Sequence, residues 1–201
     1  MKQLLTEHIP LTVDKILVEQ SIKENKPLRV EGIIQMAEVK NHNGRIYEKE
    51  ILEREIKKYI DGPVKEKRAL GELDHPDSPV INLNNVSHNI VEVKMNGNDV
   101  HGVIEILTTP AGNILKELFR CGVTVGISSR GMGSVEEDSD GVLMVQEDFD
   151  LLCFDMVSTP STPGAYLSPM MEGVSTTLPN YTKVHNIIRD IICDNTGMCK
   201  C

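Results

Sequence analysis

What this chain lacks narrows the field first. No stretch of its 201 residues approaches the roughly 20 consecutive apolar residues of a membrane-spanning helix, and its first residues lack the apolar core of a secretory signal. A cytosolic setting without membrane association is therefore expected. Positive charge is scarce as well: 21 lysines and arginines stand against 30 aspartates and glutamates, a net charge of -9. A phosphate backbone would be repelled by the chain as a whole, so nucleic-acid binding is not expected. The densest basic run, Lys57 to Arg68, is broken by Asp61 and Glu66 and reads as a solvated helix face and loop. Cysteines are few and odd in number, five in all, which does not suit a secreted disulfide framework. Cys121, Cys153 and Cys193 read as buried thiols, and the terminal Cys199 and Cys201 as part of a frayed tail. There is no H-E-x-x-H or C-x-x-C pair, no G-x-S-x-G elbow, no phosphate loop and no internal repeat. No metal and no cofactor is expected.

What is there suits one domain with ragged ends, since 40% apolar and 25% charged residues are ordinary for a globular protein. Residues 1–27 read as a charged, helical or loosely held leader. The core begins at Leu28, whose segment to Ile33 alternates in the manner of a half-buried strand. Leu52, Ile56, Tyr59 and Ile60 recur at three and four within Glu48 to Ile60 and mark a helix, which Asp61-Gly62-Pro63 ends. A strand is predicted over Ala69 to Leu73. The clearest hairpin joins Val86 to Met95 with Val100 to Leu107 through Asn96-Gly97-Asn98-Asp99. Thr109-Pro110 opens a second helix, with Ile114, Leu115, Leu118 and Phe119 on its buried side. Val123 to Ser129, Val142 to Gln146 and Leu151 to Val157 read as further strands. The sum is about six or seven strands with two helices against them, an α+β fold built on a mostly antiparallel closed sheet, or barrel. Beyond Pro160 the composition turns to linker, and Val184, Ile187, Ile188, Ile191 and Ile192 mark a short amphipathic helix in the tail.

The chemistry centres on V-G-I-S-S-R-G, residues 125–131, where two serines interrupt an apolar strand. Buried hydroxyls can be satisfied by a sheet ladder, so a structural pair and a nucleophile are both open readings. A serine hydrolase also needs a base and a third group that orients it. His8, His42, His88, His101 and His185 sit where surface or satisfied structural histidines are common. His75 differs, because it follows a strand in G-E-L-D-H-P and Pro76 fixes the chain beyond it. Asp155 lies inside the apolar strand C-F-D-M-V, where a carboxylate is costly unless paired with an imidazole, a lysine or an arginine.

Taken in order, G-E-L-D-H-P, G-I-S-S-R-G-M-G-S and F-D-M-V-S-T-P-S, together with E-G-I-I-Q-M-A-E-V-K-N-H-N-G-R-I-Y, resemble the prohead core proteases of T4-like phages. The likeness runs from about residue 28 to 170. It implies a protease domain over 28–170, flanked by a leader (1–27) and a linker and tail (171–201) that are trimmed. It also implies a β-barrel surrounded by helices, as in the related herpesvirus proteases. His75 matches the family's base and Ser128 its nucleophile, while Asp155 falls where the orienting group belongs. Backbone N–H groups near Ser129, Arg130 and Gly131, or the Arg130 side chain, are the oxyanion candidates. The implied activity is cleavage of prohead scaffold and core proteins and of the major capsid protein after glutamate, inside the assembling prohead in the host cytoplasm, with self-association. Leu5-Thr6-Glu7, Leu17-Val18-Glu19 and Met170-Met171-Glu172 supply self-cleavage candidates at Glu7, Glu19 and Glu172. The opposing readings are a non-catalytic barrel serving capsid assembly and, more remotely, a zinc hydrolase using His75 and Asp74.

Overall fold

The structure is a computed structural model that describes residues 3–6, 9–11, 19, 21, 23–24, 27–139, 141–158 and 167–169. It is a mixed α+β fold, with more of the described chain in strands than in helices. The first sheet has the order β12-β3-β7-β6-β5. Its members are β3 (Leu28–Met36), β5 (Leu70–Glu72), β6 (Val86–Asn96), β7 (Asp99–Ile106) and β12 (Leu167–Pro169). The predicted hairpin is its centre: β6 and β7 pair from His88↔Ile106 to Asn96↔Asp99, and Gly97 supplies the positive φ (66°) that the tight turn requires.

The second sheet is built around β8 (Val125–Gly133), which carries the serine pair. On one edge it pairs antiparallel with β11 (Asp150–Val157). On the other it takes two short strands of the leader, β1 (Gln3–Thr6) and β2 (Ile9–Leu11). A small third sheet joins β4 (Arg45–Ile46), β10 (Leu143–Val145) and β9 (Val135–Glu137).

Two expectations are corrected here. The leader is not simply loose or helical, because β1 and β2 belong to the β8 sheet. Nor do the strands close into one barrel: the described pairings form three sheets. The two larger sheets meet through a single parallel bridge, Leu73↔Met156, because the chain leaves the ladder at Asp74, whose left-handed φ of 69° turns it away. The predicted tail from residue 171 onward, with Cys193, Cys199 and Cys201, lies outside the described residues.

Helix α1 (Lys49–Tyr59) presents Ile51, Leu52, Ile56 and Tyr59 to the core and packs on β11 and β6. It does not stop at Asp61-Gly62-Pro63; the chain runs on as a wider helical turn over Ile60–Val64. Buried Glu55 ties α1 to β11 by accepting from Arg54, Lys58 and the Leu151 N–H. Helix α2 (Pro110–Arg120) starts as predicted, with the Thr109 hydroxyl accepting from the Gly112 N–H at 3.1 Å. Its buried face is Ala111, Gly112, Leu115 and Phe119, whereas Ile114 is exposed. Cys121, at its end, is likewise exposed rather than buried.

Between the layers lies a core of Val30, Ile34, Ile90, Ile104, Ile127, Phe154 and Met156. Each such side chain contributes about 1.5–3 kcal/mol by leaving water. Packing is tightest where β5 crosses β11. A Cβ on Gly71 would stand 2.0 Å from the Phe154 carbonyl oxygen and 2.2 Å from His88 Nε2, and neither backbone nor a buried ring can retreat. Gly71→Ala is therefore expected to cost about 3 kcal/mol or more, read as a lowered midpoint of urea unfolding.

Candidate active site

Side chains of neighbouring residues on a strand point to opposite faces, so the two serines of β8 cannot share a task. Ser128 is directly opposite Asp155 in the β8–β11 ladder, and Ser129 is opposite Phe154. Directly opposed residues share a face, which places Ser128 with Asp155. Ser129 faces the other way, where its hydroxyl accepts from Gln35 Nε2 at 3.3 Å. Gln35 reaches it because β3 changes register between Ile33 and Gln35, turning an amide inward where it is 2% exposed.

His75 arrives from the end of β5. After the left-handed turn at Asp74, the Asp74 carboxylate accepts the His75 backbone N–H at 2.9 Å, and the Asp74 N–H donates to the Met156 carbonyl at 2.7 Å. These contacts deliver the imidazole to β11, where Nδ1 meets Asp155 Oδ2 at 2.7 Å. Structure thus joins two of the three predicted residues directly and sets the third on the same face as Asp155. The Ser128 hydroxyl makes a long 3.4 Å hydrogen bond to the Ser129 carbonyl.

Asp155 is fully buried and lavishly partnered. Arg130 grips it side-on, Nε to Oδ2 at 2.9 Å and Nη2 to Oδ1 at 3.1 Å, and the Glu72 N–H adds a bond to Oδ1 at 2.9 Å. Burial alone would push this carboxyl up, but the His75 hydrogen bond, the Arg130 charge and the Glu72 N–H together hold it below its ordinary value. An ionised carboxylate only accepts. In neutral His75 the proton therefore sits on Nδ1, and Nε2 is the basic nitrogen.

Arg130 was an oxyanion candidate. Its guanidinium is 0% exposed and is committed to Asp155, to Glu72 Oε1 at 3.0 Å and to the Ser78 carbonyl at 2.6 Å. Its charge is thereby directed to two buried carboxylates. Glu72 also accepts the Asn82 N–H at 3.0 Å, so the loop after His75 is moored to the same cluster. Gly131, the third oxyanion candidate, faces the Phe149 ring, which a Cβ there would meet at 2.4 Å.

His88 is a fully buried imidazole that sequence reasoning left among surface or structural histidines. Nε2 donates to the Phe154 carbonyl at 3.0 Å and Nδ1 accepts from Ser87 at 2.9 Å, bonds that a neutral ring satisfies. Glu72 and Gln35 were missed as well. Glu72 carries the same signal that drew attention to Asp155, a carboxylate within an apolar strand. Gln35 had none, because its inward turn depends on a bulge. Among the described residues no group of three histidines, cysteines or carboxylates stands where it could hold a metal ion, and no helix is long and apolar enough to cross a membrane. Glu19 is exposed and helical, whereas Glu7 and Glu172 lie outside the described residues.

The comparison with known proteins now bears on this geometry. A family model described as prohead core protein serine protease matches residues 5–176, most of the chain. The chain belongs to the prohead core protein serine protease family. Within it, the chain is 39% identical over 145 residues to the prohead core protein protease of Enterobacteria phage T4, covering 71% of this chain and 68% of that one. It is also similar to the solved structure of the bacteriophage T4 capsid assembly protease, with a TM-score of 0.69 and 30% identity over 79% of this chain and 99% of that chain. As a prohead protease, the chain is a peptide-bond hydrolase.

Two outcomes test the electrostatics of this protease. Arg130→Met is expected to cost about 3–5 kcal/mol by stranding two buried carboxylates, and Arg130→Lys less, since it keeps the charge but loses the fork; chemical unfolding measures both. The second concerns pH. Burial pushes the His88 imidazole down from its ordinary 6.5 to about 4, so between those values the unfolded chain binds more protons than the folded one. Stability present above pH 6.5 is then lost on acidification toward pH 4, by on the order of 3 kcal/mol. His88→Gln should flatten that part of the stability–pH curve.

Proposed function

We propose that this chain is a serine endopeptidase that cleaves core, scaffold and capsid proteins after glutamate inside the assembling prohead, in the host cytoplasm, and that it trims its own ends. The observation that carries the reading is the 2.7 Å contact of His75 Nδ1 with a fully buried Asp155, on the face of the sheet that Ser128 shares.

Ser128 Oγ attacks the substrate carbonyl carbon while its proton passes to His75 Nε2. Asp155 stabilises the imidazolium that forms. The C–N bond of the tetrahedral intermediate then breaks, and Nε2 returns the proton to the leaving amine. Water attacks the resulting ester by the same route, giving its proton to Nε2, releasing the new carboxylate and restoring the Ser128 hydroxyl. With the Arg130 guanidinium committed to carboxylates, the oxyanion falls to backbone N–H groups between Ser129 and Gly131. Self-cleavage is assigned to Glu7, Glu19 and Glu172, each preceded two positions earlier by an aliphatic residue or methionine. The family membership and the built His75–Asp155 pair favour this reading over a non-catalytic capsid-assembly barrel.

Ser128→Ala should abolish cleavage of a glutamate-containing peptide, by on the order of a thousandfold or more, while Ser129→Ala retains much of it. The reverse pattern would move the nucleophile by one residue. A fluorophosphonate probe followed by peptide mapping checks the same assignment chemically, with the label expected on Ser128.

A further inference from the structure

Arg130 forks between two carboxylates where one would balance it. Nη2 donates to Glu72 Oε1 at 3.0 Å and to Asp155 Oδ1 at 3.1 Å, and Nε lies 2.9 Å from Asp155 Oδ2. Asp155 alone carries the charge that Arg130 needs, yet Glu72 is buried beside it with 0% exposure. A carboxylate stripped of water is costly unless compensated, and Glu72 is compensated only in part. Oε1 takes Arg130 and the Asn82 N–H, whereas buried Oε2 meets no donor among the described residues. The strand nevertheless turns this side chain inward: the β5–β6 ladder shifts register between Gly71 and Glu72, and such a bulge re-aims the residue at its site. The remaining titratable groups about Asp155 leave the charges unbalanced. Burial above all pushes the Cys153 thiol on β11 and the Tyr59 hydroxyl on α1 up, and the His88 imidazole on β6 down to about 4. Near neutral pH all three are therefore uncharged. Asp74 and Asp77, on either side of His75, are exposed, and water screens them. Two buried carboxylates thus face one guanidinium, and His75, 2.7 Å from Asp155, is the group in contact with them that can add a positive charge.

We propose that Glu72 is a positioning residue for the peptidase reaction: by taking a share of Arg130 it leaves Asp155 the surplus negative charge that holds an imidazolium at His75. This rests on His75 being the base and Asp155 its partner. Glu72 acts through those two groups and not on the substrate. Its side chain takes one arm of the guanidinium, and its backbone N–H fixes Asp155 Oδ1 at 2.9 Å. Without the Glu72 charge, Arg130 would belong to Asp155 alone, and the ring protonated during the reaction would face a neutral pair. Charges this close act strongly where water is excluded, because the effective dielectric is low. The stability that a second buried carboxylate costs is thus returned at the base, as a stronger hold on the proton that Nε2 receives.

Glu72→Gln isolates the charge. An amide oxygen in place of Oε1 still accepts from Arg130 and Asn82, and the amide nitrogen takes the position of Oε2, where no donor stands among the described residues. The measurement is the pH dependence of kcat/KM for a glutamate-containing peptide. The limb on which activity is lost with acid is expected to move down by about half a pH unit or more, since a less stabilised imidazolium forms only at lower pH. The plateau is expected to fall about threefold or more, because the same interaction is missing as the proton arrives. A mooring role alone would lower stability and leave the limb in place, so coincident limbs in the wild type and in Glu72→Gln overturn the proposal. Should the variant not fold, the Glu72 carboxyl carbon is followed by NMR in the unsubstituted chain. It is expected to stay ionised across the pH range of the limb, and protonation within that range overturns the proposal, because a neutral carboxyl takes no charge from Arg130. Cleavage that survives His75→Gln would remove the serine-protease reading itself; coincident limbs beside an inactive His75→Gln remove the role of Glu72 alone.

Discussion

A guanidinium and two carboxylates, all fully buried, are the constraint around which this molecule is arranged. None of the three could lie in a dry interior alone, since an unpaired buried charge costs several kcal/mol even after relaxation. Together they bind segments that are distant in the chain: Arg130 on β8, Asp155 on β11, Glu72 on β5, and the loop through Ser78 and Asn82. Carboxylates outnumber guanidinium in the cluster, and the nearest further partner is the imidazole of His75.

Geometry does the rest through backbone rules. Strand alternation separates two adjacent serines that are identical in composition, giving one to Asp155 and the other to Gln35. The absence of a side chain at Gly71 lets β5 press against the Phe154 carbonyl and His88, and this brings the G-E-L-D-H-P segment to β11. A left-handed residue at Asp74 then ends the pairing after one bridge and swings His75 back over Asp155. The same turn explains why the sheets do not merge: the residue that aims His75 also interrupts the ladder.

Much of this was legible in the sequence wherever the signal is local. The β6–β7 hairpin, both helices, the capping Thr109 and the strand character of β3, β8 and β11 follow from periodicity and turn residues that depend on near neighbours alone. The serine pair and Asp155 stood out because polar groups in apolar strands advertise their cost, His75 because a proline follows it at a strand end, and ordered motifs carried the family. Other features were decided only by folding. Which serine joins Asp155, whether Arg130 points at a substrate or at carboxylates, that Gln35 turns inward and that the leader lies along β8 all depend on register between segments far apart in the chain. Residue spacing sets what a strand can present, but the partner that lies opposite is chosen by the packing of the whole core, because a shift of one residue would exchange every face.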